Sequence, residues 1–309
     1  MSTSTADSTH RATSIDSSHP PFSPYFGLVI ATMAVSCSAI LIKESSSPPL
    51  VIASYRLAIT VALLLGPFLR GGGIAQLRTL DRGSLGWIAA SGILLGLHFA
   101  TWTVSLQYTS VASSVLFVTV HPVLVAIAAF VVFGERTNRL AIAGIALTLA
   151  GSAIVAGGDL RLGGDAIRGD LRAFIGAVVF AGYLLIGRGA RRNLETIAYS
   201  VPVYAVCTLF LVPCSLVFGQ SLTAVGGRDI LVFLGLAIVP TLGGHLLYNW
   251  TLKYLTATVV SVSFLGEPVG ASLLAWALLG QQLAPSTVAG GAIILAGIWL
   301  TVRQQGPPR

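Results

Sequence analysis

Charge is what this chain has least of. Only 9% of its 309 residues are Asp, Glu, Lys or Arg, against 54% hydrophobic. A soluble domain carries about a quarter charged residues, so a water-facing globular surface is excluded. Lysine is scarcer still: Lys43 and Lys253 are the only two, and neither follows a glycine. A phosphate-cradling loop that ends in Gly-Lys is therefore missing, which argues against ATP as the driver. Three cysteines make no disulfide framework. Cys37 stands alone, and Cys207 and Cys214 share one helix, two turns and about 10 Å apart along its axis, too far to bond. No metal-ligand spacing and no nucleophile elbow occur. No metal, cofactor or catalytic residue is expected. The net charge of +7 comes from loop arginines and does not form a nucleic-acid surface.

What the chain has in abundance is long apolar runs. Ten are long enough to cross a hydrocarbon core about 30 Å thick: roughly 24–42, 51–69, 85–106, 111–133, 139–156, 169–188, 197–218, 229–251, 257–279 and 285–302. They are continuous and lack period-2 alternation, so helices are expected and barrel strands are not. The predicted class is an all-α polytopic membrane protein with the lipid bilayer as its solvent. The first 24 residues differ. Eleven are Ser or Thr and no apolar signal-peptide core is present, so 1–24 is expected to be a disordered tail. With the N-terminus inside, twelve Lys and Arg fall on the cytoplasmic side and five on the other, while Arg56 lies within the second helix. The positive-inside rule then places both ends in the cytoplasm.

The sequence overlays on itself at an offset of 146 from Leu106 to Gly151 without a gap. Pro122-Val123 falls on Pro268-Val269, Gly134 on Gly280, Ala143-Gly144 on Ala289-Gly290, and Leu149-Ala150-Gly151 on Leu295-Ala296-Gly297. The offset spans five helices, an odd number, so the second copy must enter the membrane the opposite way round. Two inverted five-helix repeats form a transporter plan. The expected organisation is a tail 1–24, a first repeat 25–156, an external loop 157–168, a second repeat 169–302 and a cytoplasmic tail 303–309. Gly144 and Gly151, with Gly290 and Gly297, make stripes suited to close helix contact.

The stretch YTSVASSVLFVTVHPVLVAIAAFVVFGERT, Tyr108–Thr137, and its partner SFLGEPVGASLLAWALLGQQL resemble the EamA-type domain of the drug/metabolite transporter superfamily. The Leu-x-Tyr-Thr-Ser start, the mid-helix proline, the Gly-Glu-Arg helix end, the Gly-rich helix that follows and the Tyr55-Arg56 pair carry the likeness. The second copy departs from it, reading Gly280-Gln281-Gln282 where the first has Gly134-Glu135-Arg136. The resemblance covers about 24–302 and implies two EamA repeats, ten helices and export or exchange of small metabolites across the cell (inner) membrane. Amino acids and amphiphilic compounds are the first expectation for substrate. A monomer or homodimer is expected.

Of eleven acids, Glu267 alone lies at the centre of a predicted span. An ionised group there costs about 2.5–3.5 kcal/mol even on the lenient insertion scale, so its side chain should face the bundle interior. One repeat earlier stands His121, also just before a proline. Both are candidate proton or substrate ligands. Each also has a structural alternative, a bond to the carbonyl its proline leaves free, at Phe264 for Glu267 and at Val118 for His121. Pro122 and Pro268 are candidate hinges. Arg56 either snorkels outward as an anchor, the slightly favoured reading, or binds a substrate carboxylate. His98 and Trp102 share a face of the third helix, His245, Tyr248 and Asn249 cluster on the eighth, and Tyr183 lies on the sixth. These are cavity candidates, with interfacial aromatics and interhelical hydrogen bonds as the alternative. The leading expectation is a secondary transporter coupled to protons through Glu267 or His121. An uncoupled facilitator and a membrane-embedded transferase acting on a lipid-linked substrate are the alternatives.

Overall fold

The computed structural model of the protein describes residues 20–133, 138–157, 164–190, 194–280 and 282–303. The Gly134-Glu135-Arg136 helix end, Gln281, the centre of the 157–168 loop, most of the N-terminal tail and the end of the C-terminal one lie outside them. Among the described residues there is no strand. Ten helices are long and apolar enough to span a membrane: α1 Pro24–Lys43, α2 Pro49–Arg70, α3 Arg82–Ser105, α4 Val111–Val132, α5 Arg139–Ala156, α6 Asp165–Gly187, α7 Thr196–Val217, α8 Gly227–Thr251, α9 Ala257–Leu278 and α10 Pro285–Arg303. The protein is a multi-pass membrane protein. Its outward faces carry large apolar side chains such as Val131, Leu209, Val217 and Leu278, each more than 70% exposed, where lipid would cover them.

Local chemistry explains where the helices start. Proline opens α1, α2 and α10, where its fixed φ and missing N–H cost nothing. Asp81 caps α3 by accepting from the Gly83 and Ser84 N–H groups. The caps of α4 and α9 are repeat-related: Ser110 Oγ accepts from Ser113 N at 3.1 Å, and Thr256 Oγ1 from Val259 N at 3.3 Å. Hydroxyl caps 146 residues apart show that the two copies begin this helix in the same way.

The repeat is visible in packing as well. A Cβ on Gly144 would sit 2.7 Å from the Gly297 carbonyl oxygen, and one on Gly290 would sit 2.7 Å from that of Gly151. Gly144 corresponds to Gly290 and Gly151 to Gly297, so exchanging the copies turns one contact into the other. That reciprocity is the mark of a pseudo-twofold relation, with α5 and α10 in backbone contact at its centre.

Both prolines selected as hinges follow interruptions. The helical turns of α4 are Val111–Val118 and His121–Phe133, broken at Thr119-Val120. Those of α9 are Ala257–Ser263 and Glu267–Leu279, joined by the 3-10 turn Phe264–Gly266. The breaks sit at matching positions of the repeat, each ending two residues before the proline. A third interruption, in α1 at Cys37, and a π-helical stretch in α8, Ala237–Leu246, have no equivalent in α6 or α3. The backbone frame is duplicated, and these two distortions are not.

Candidate functional site

The interruptions of α4 and α9 bring His121 and Glu267 to one small central cavity of about 30 Å³. His98 and Trp102 of α3, His245 of α8, Ser38 of α1, Phe180 of α6 and Phe264 of α9 complete most of its wall. Five of the residues singled out from the sequence therefore meet. The volume admits a water or two, far below the roughly 300 Å³ at which ligand pockets begin, so the site is closed around its polar groups.

Phe180 and Phe264 form the framework of the wall. The ring of Phe180 stacks on His98 at 4.4 Å and meets His121 edge-on at 5.0 Å and Phe264 at 5.2 Å. Phe264 also touches His121 at 5.4 Å and His245 at 6.0 Å. Nothing in the sequence distinguished these phenylalanines from lipid-facing ones, although Phe180 lies one turn before Tyr183 on the same face.

The histidines are oriented by backbone. His98 Nδ1 lies 3.1 Å from the Gly176 carbonyl, and His121 Nδ1 lies 3.0 Å from the Val118 carbonyl. A carbonyl only accepts, so each Nδ1 carries hydrogen, and in the neutral ring each Nε2 is an acceptor. The His121 bond is the structural alternative expected for that residue, since Val118 loses its partner to Pro122. It leaves Nε2 buried with no hydrogen-bond partner among the described residues. Trp102 Nε1 is likewise buried and unbonded.

For Glu267 the carbonyl of the structural alternative is not left free. The Phe264 carbonyl is taken by the backbone N–H of Glu267 itself, through the 3-10 turn. The main-chain oxygen of Glu267 accepts from Ser36 Oγ at 3.2 Å. Glu267 is 7% exposed, lines the cavity and has no ion pair among the described residues.

Arg56 overturns the anchoring expectation. It does not snorkel: it is only 2% exposed, donating from Nε to Thr241 Oγ1 at 2.7 Å and from Nη1 to Ser38 Oγ at 3.0 Å. Its guanidinium lies 4.5 Å above the Phe99 ring. Polar groups on α1 and α8 hold it more closely than a short path to the interface would. Nη2 is buried without an acceptor among the described residues. Arg56 stands behind Ser38, one residue back from the cavity wall.

Tyr183, Tyr248 and Asn249 do not line the cavity. Tyr183 Oη donates to Asn249 Oδ1 at 2.9 Å, and Asn249 Nδ2 donates to Ser200 Oγ at 3.2 Å. Tyr248 stacks on Phe264 at 3.8 Å and shares a 2.7 Å hydrogen bond with Thr32. These are the interhelical bonds of the alternative reading, placed directly behind the aromatic wall. Sequence reasoning missed Ser200, Thr32 and Thr241, because a hydroxyl in an apolar run shows no partner until the helices are packed.

Closure differs on the two faces. At the end of α1, the Asp229 carboxylate accepts from Ser45 Oγ at 2.7 Å, Ser47 Oγ at 2.8 Å and Ser46 N at 3.0 Å, beside the Arg228–Glu44 ion pair. On the opposite face, where both chain ends emerge, the described residues show one looser pair, Lys253–Glu195 at 3.7 Å, and Glu195 N donating to Gln76. A cavity of about 570 Å³ opens there between Phe68, Gln76, Glu195, Leu246 and Trp250.

Ten membrane-spanning helices in two repeats, closed over a central polar cavity, define a transporter-type membrane protein. The chain belongs to the EamA-like transporter family, which it matches over residues 22–157 and again over 167–303. It is 25% identical over 260 residues to an uncharacterized transporter of Archaeoglobus fulgidus, covering 83% of this chain and 89% of that one. It is 28% identical to a protein of Streptantibioticus cattleyicolor described as a "Probable terminal-alkyne amino-acid exporter", covering 80% of each. A Salmonella typhimurium protein described as a "Probable amino-acid metabolite efflux pump" is 30% identical over 57% of this chain and 62% of its own. A solved crystal structure superposes with a TM-score of 0.75 at 21% identity, covering 91% of this chain and 97% of its own, and shares the fold.

Proposed function

We propose that the protein is a secondary transporter of the cell (inner) membrane that exports small amino-acid-like or amphiphilic metabolites by alternating access. Both its ends lie in the cytoplasm, as the distribution of arginine favours. The observation that carries the reading is the meeting of His121 and Glu267, equivalent positions of the two repeats, at one closed cavity between two broken helices. Interrupted helices at the repeat interface are where substrate and coupling-ion sites are built in such folds.

Glu267 exchanges a proton or a substrate ammonium, and the neutral His98 and His121 rings offer Nε2 acceptors beside it. Trp102 Nε1 and the free Nη2 of Arg56 are donors suited to an anionic or polar group of the substrate. Tyr183, Tyr248 and Asn249 hold the wall from behind. Pro122 and Pro268 let the half-helices tilt against one another, which widens the cavity.

Purified protein in proteoliposomes tests the reading. Glu267→Gln keeps the shape of the side chain and should insert normally. Gradient-driven transport should fall sharply while substrate-for-substrate exchange persists. Wild-type pH dependence of transport in this variant would remove Glu267 from coupling.

A further inference from the structure

Two of the three Arg56 nitrogens are committed to neighbours that substrate binding does not explain. Both acceptors mark helix distortions: Ser38 follows the break in α1, and Thr241 lies in the π-helical stretch of α8. The distortion of α8 has a local cause. Pro240 has no N–H to give the Leu236 carbonyl, its partner in α register. The Thr241 hydroxyl takes that place, donating to the Leu236 oxygen at 2.7 Å across five residues. In an α-helix a threonine hydroxyl reaches back only three or four, so this bond belongs to the wider register. With its hydrogen so used, Thr241 Oγ1 is left to accept, and Arg56 Nε is the donor it meets.

The consequence lies further along α8. An α-helix turns about 100° per residue, so accommodating one extra residue in a wider turn delays every later side chain by one position. The repeat makes the delay visible. The counterpart of His98 by the 146-residue offset is Gly244, yet the α8 residue on the cavity is His245, one position later. α3 has no π stretch to cause such a shift. The counterparts of Arg56 and Thr241 are Pro202 and Leu95, so the clamp exists in one half only. The same guanidinium lies over Phe99, whose ring meets His245 edge-on at 5.3 Å.

We propose that Arg56 is the positioning residue of α8: through Thr241 it holds the π register that turns His245 into the central cavity. The role rests on the reading of that cavity as the transport site, but the register itself is measurable without transport.

The test uses the full chain with Cys37, Cys207 and Cys214 replaced by serine and one cysteine at a time placed from Asp229 to Leu236 and from Leu242 to Trp250. Rates of labelling by a small membrane-permeant maleimide give the buried and accessible faces of α8. With Arg56→Met and with Thr241→Val the pattern should move by one residue beyond Gly243, while the pattern from Asp229 to Leu236 stays put. Thr241→Ser should restore it. Thr241→Val keeps the buried cation, so it answers the question even if Arg56→Met fails to fold. An unmoved pattern in Thr241→Val overturns the proposal, whatever happens to transport. A moved pattern in a protein whose His245→Ala variant transports normally supports the positioning role and removes His245 from the transport site.

Discussion

Replacing Gly151 by alanine puts a number on the contact that joins the two halves. The added Cβ would lie 2.7 Å from the Gly290 carbonyl oxygen and 2.9 Å from the Ile294 backbone nitrogen. Neither atom belongs to a flexible side chain, so α5 and α10 must separate by several tenths of an ångström. Overpacking of this kind costs about 1–3 kcal/mol. Alanine also favours the helix over glycine by about 1 kcal/mol, which offsets part of the loss. Gly86 of α3 isolates that second effect, since nothing lies within 4 Å of a Cβ there. Thermal unfolding in detergent should therefore place Gly151→Ala about 1–3 kcal/mol below Gly86→Ala. Gly290→Ala should behave like Gly151→Ala, because its Cβ meets the Gly151 carbonyl at the same 2.7 Å. The double variant should lose less than the sum, since one separation of the helices relieves both clashes. Gly151→Ala matching Gly86→Ala, or strict additivity in the double variant, would refute the shared contact.

Asp229→Ala should release the Ser45–Ser47 loop, and exchange of the Ser46 amide should quicken by about ten- to hundredfold, the worth of a hydrogen bond to a charged acceptor; unchanged exchange would mean that the loop is held by its other contacts. Hydrogen bonds from Ser84, by side chain and backbone, hold the exposed Asp81 carboxyl below its usual range. A folded value below the unfolded one gives a contribution fully present above the ordinary carboxylate range and lost as pH falls from there through the lower folded value, so the first turn of α3 should loosen below about pH 4. Protection of the Gly83 and Ser84 amides that is the same at pH 3 and pH 6 would contradict this. Cysteines placed before Tyr25 and after Val302 should be labelled from the cytoplasm only, and labelling of the two ends from opposite sides would overturn the even number of crossings.

The parts of the fold that could be read from the sequence are those that depend on one dimension. Ten crossings follow from run length, and the repeat follows from Gly and Pro at a constant offset. Gly144, Gly151, Gly290 and Gly297 were legible as a contact because small residues seven apart share a helix face. Glu267 and His121 stood out because ionisable groups are rare at that depth. Arg56 was harder: its distance from the helix end suggested a route outward, but depth says nothing about which way the side chain points, and Ser38, Thr241 and Phe99 hold it inward. The π stretch of α8 left one trace, Pro240, whose effect depends on the hydroxyl that follows it and on an arginine 185 positions away.

What remains after the repeat is subtracted carries the chemistry. The backbone devices are shared: hydroxyl caps at Ser110 and Thr256, breaks before Pro122 and Pro268, and glycine contacts that map onto each other. The side chains are not, since Glu267 corresponds to His121, Arg56 to Pro202 and Thr241 to Leu95. Under the proposed alternating access, a frame with a pseudo-twofold axis gives two opposite openings of similar backbone energy. Unequal side chains on that frame make the two openings differ in charge and in hydrogen bonding, so they differ in energy, and a ligand or proton that prefers one arrangement shifts the balance between them. Among the described residues, closure by four hydrogen-bonding contacts at Asp229 on one face and by a looser pair at Glu195 on the other is the same inequality seen at the rims. In this chain the asymmetry resides in a few polar side chains set on a duplicated scaffold.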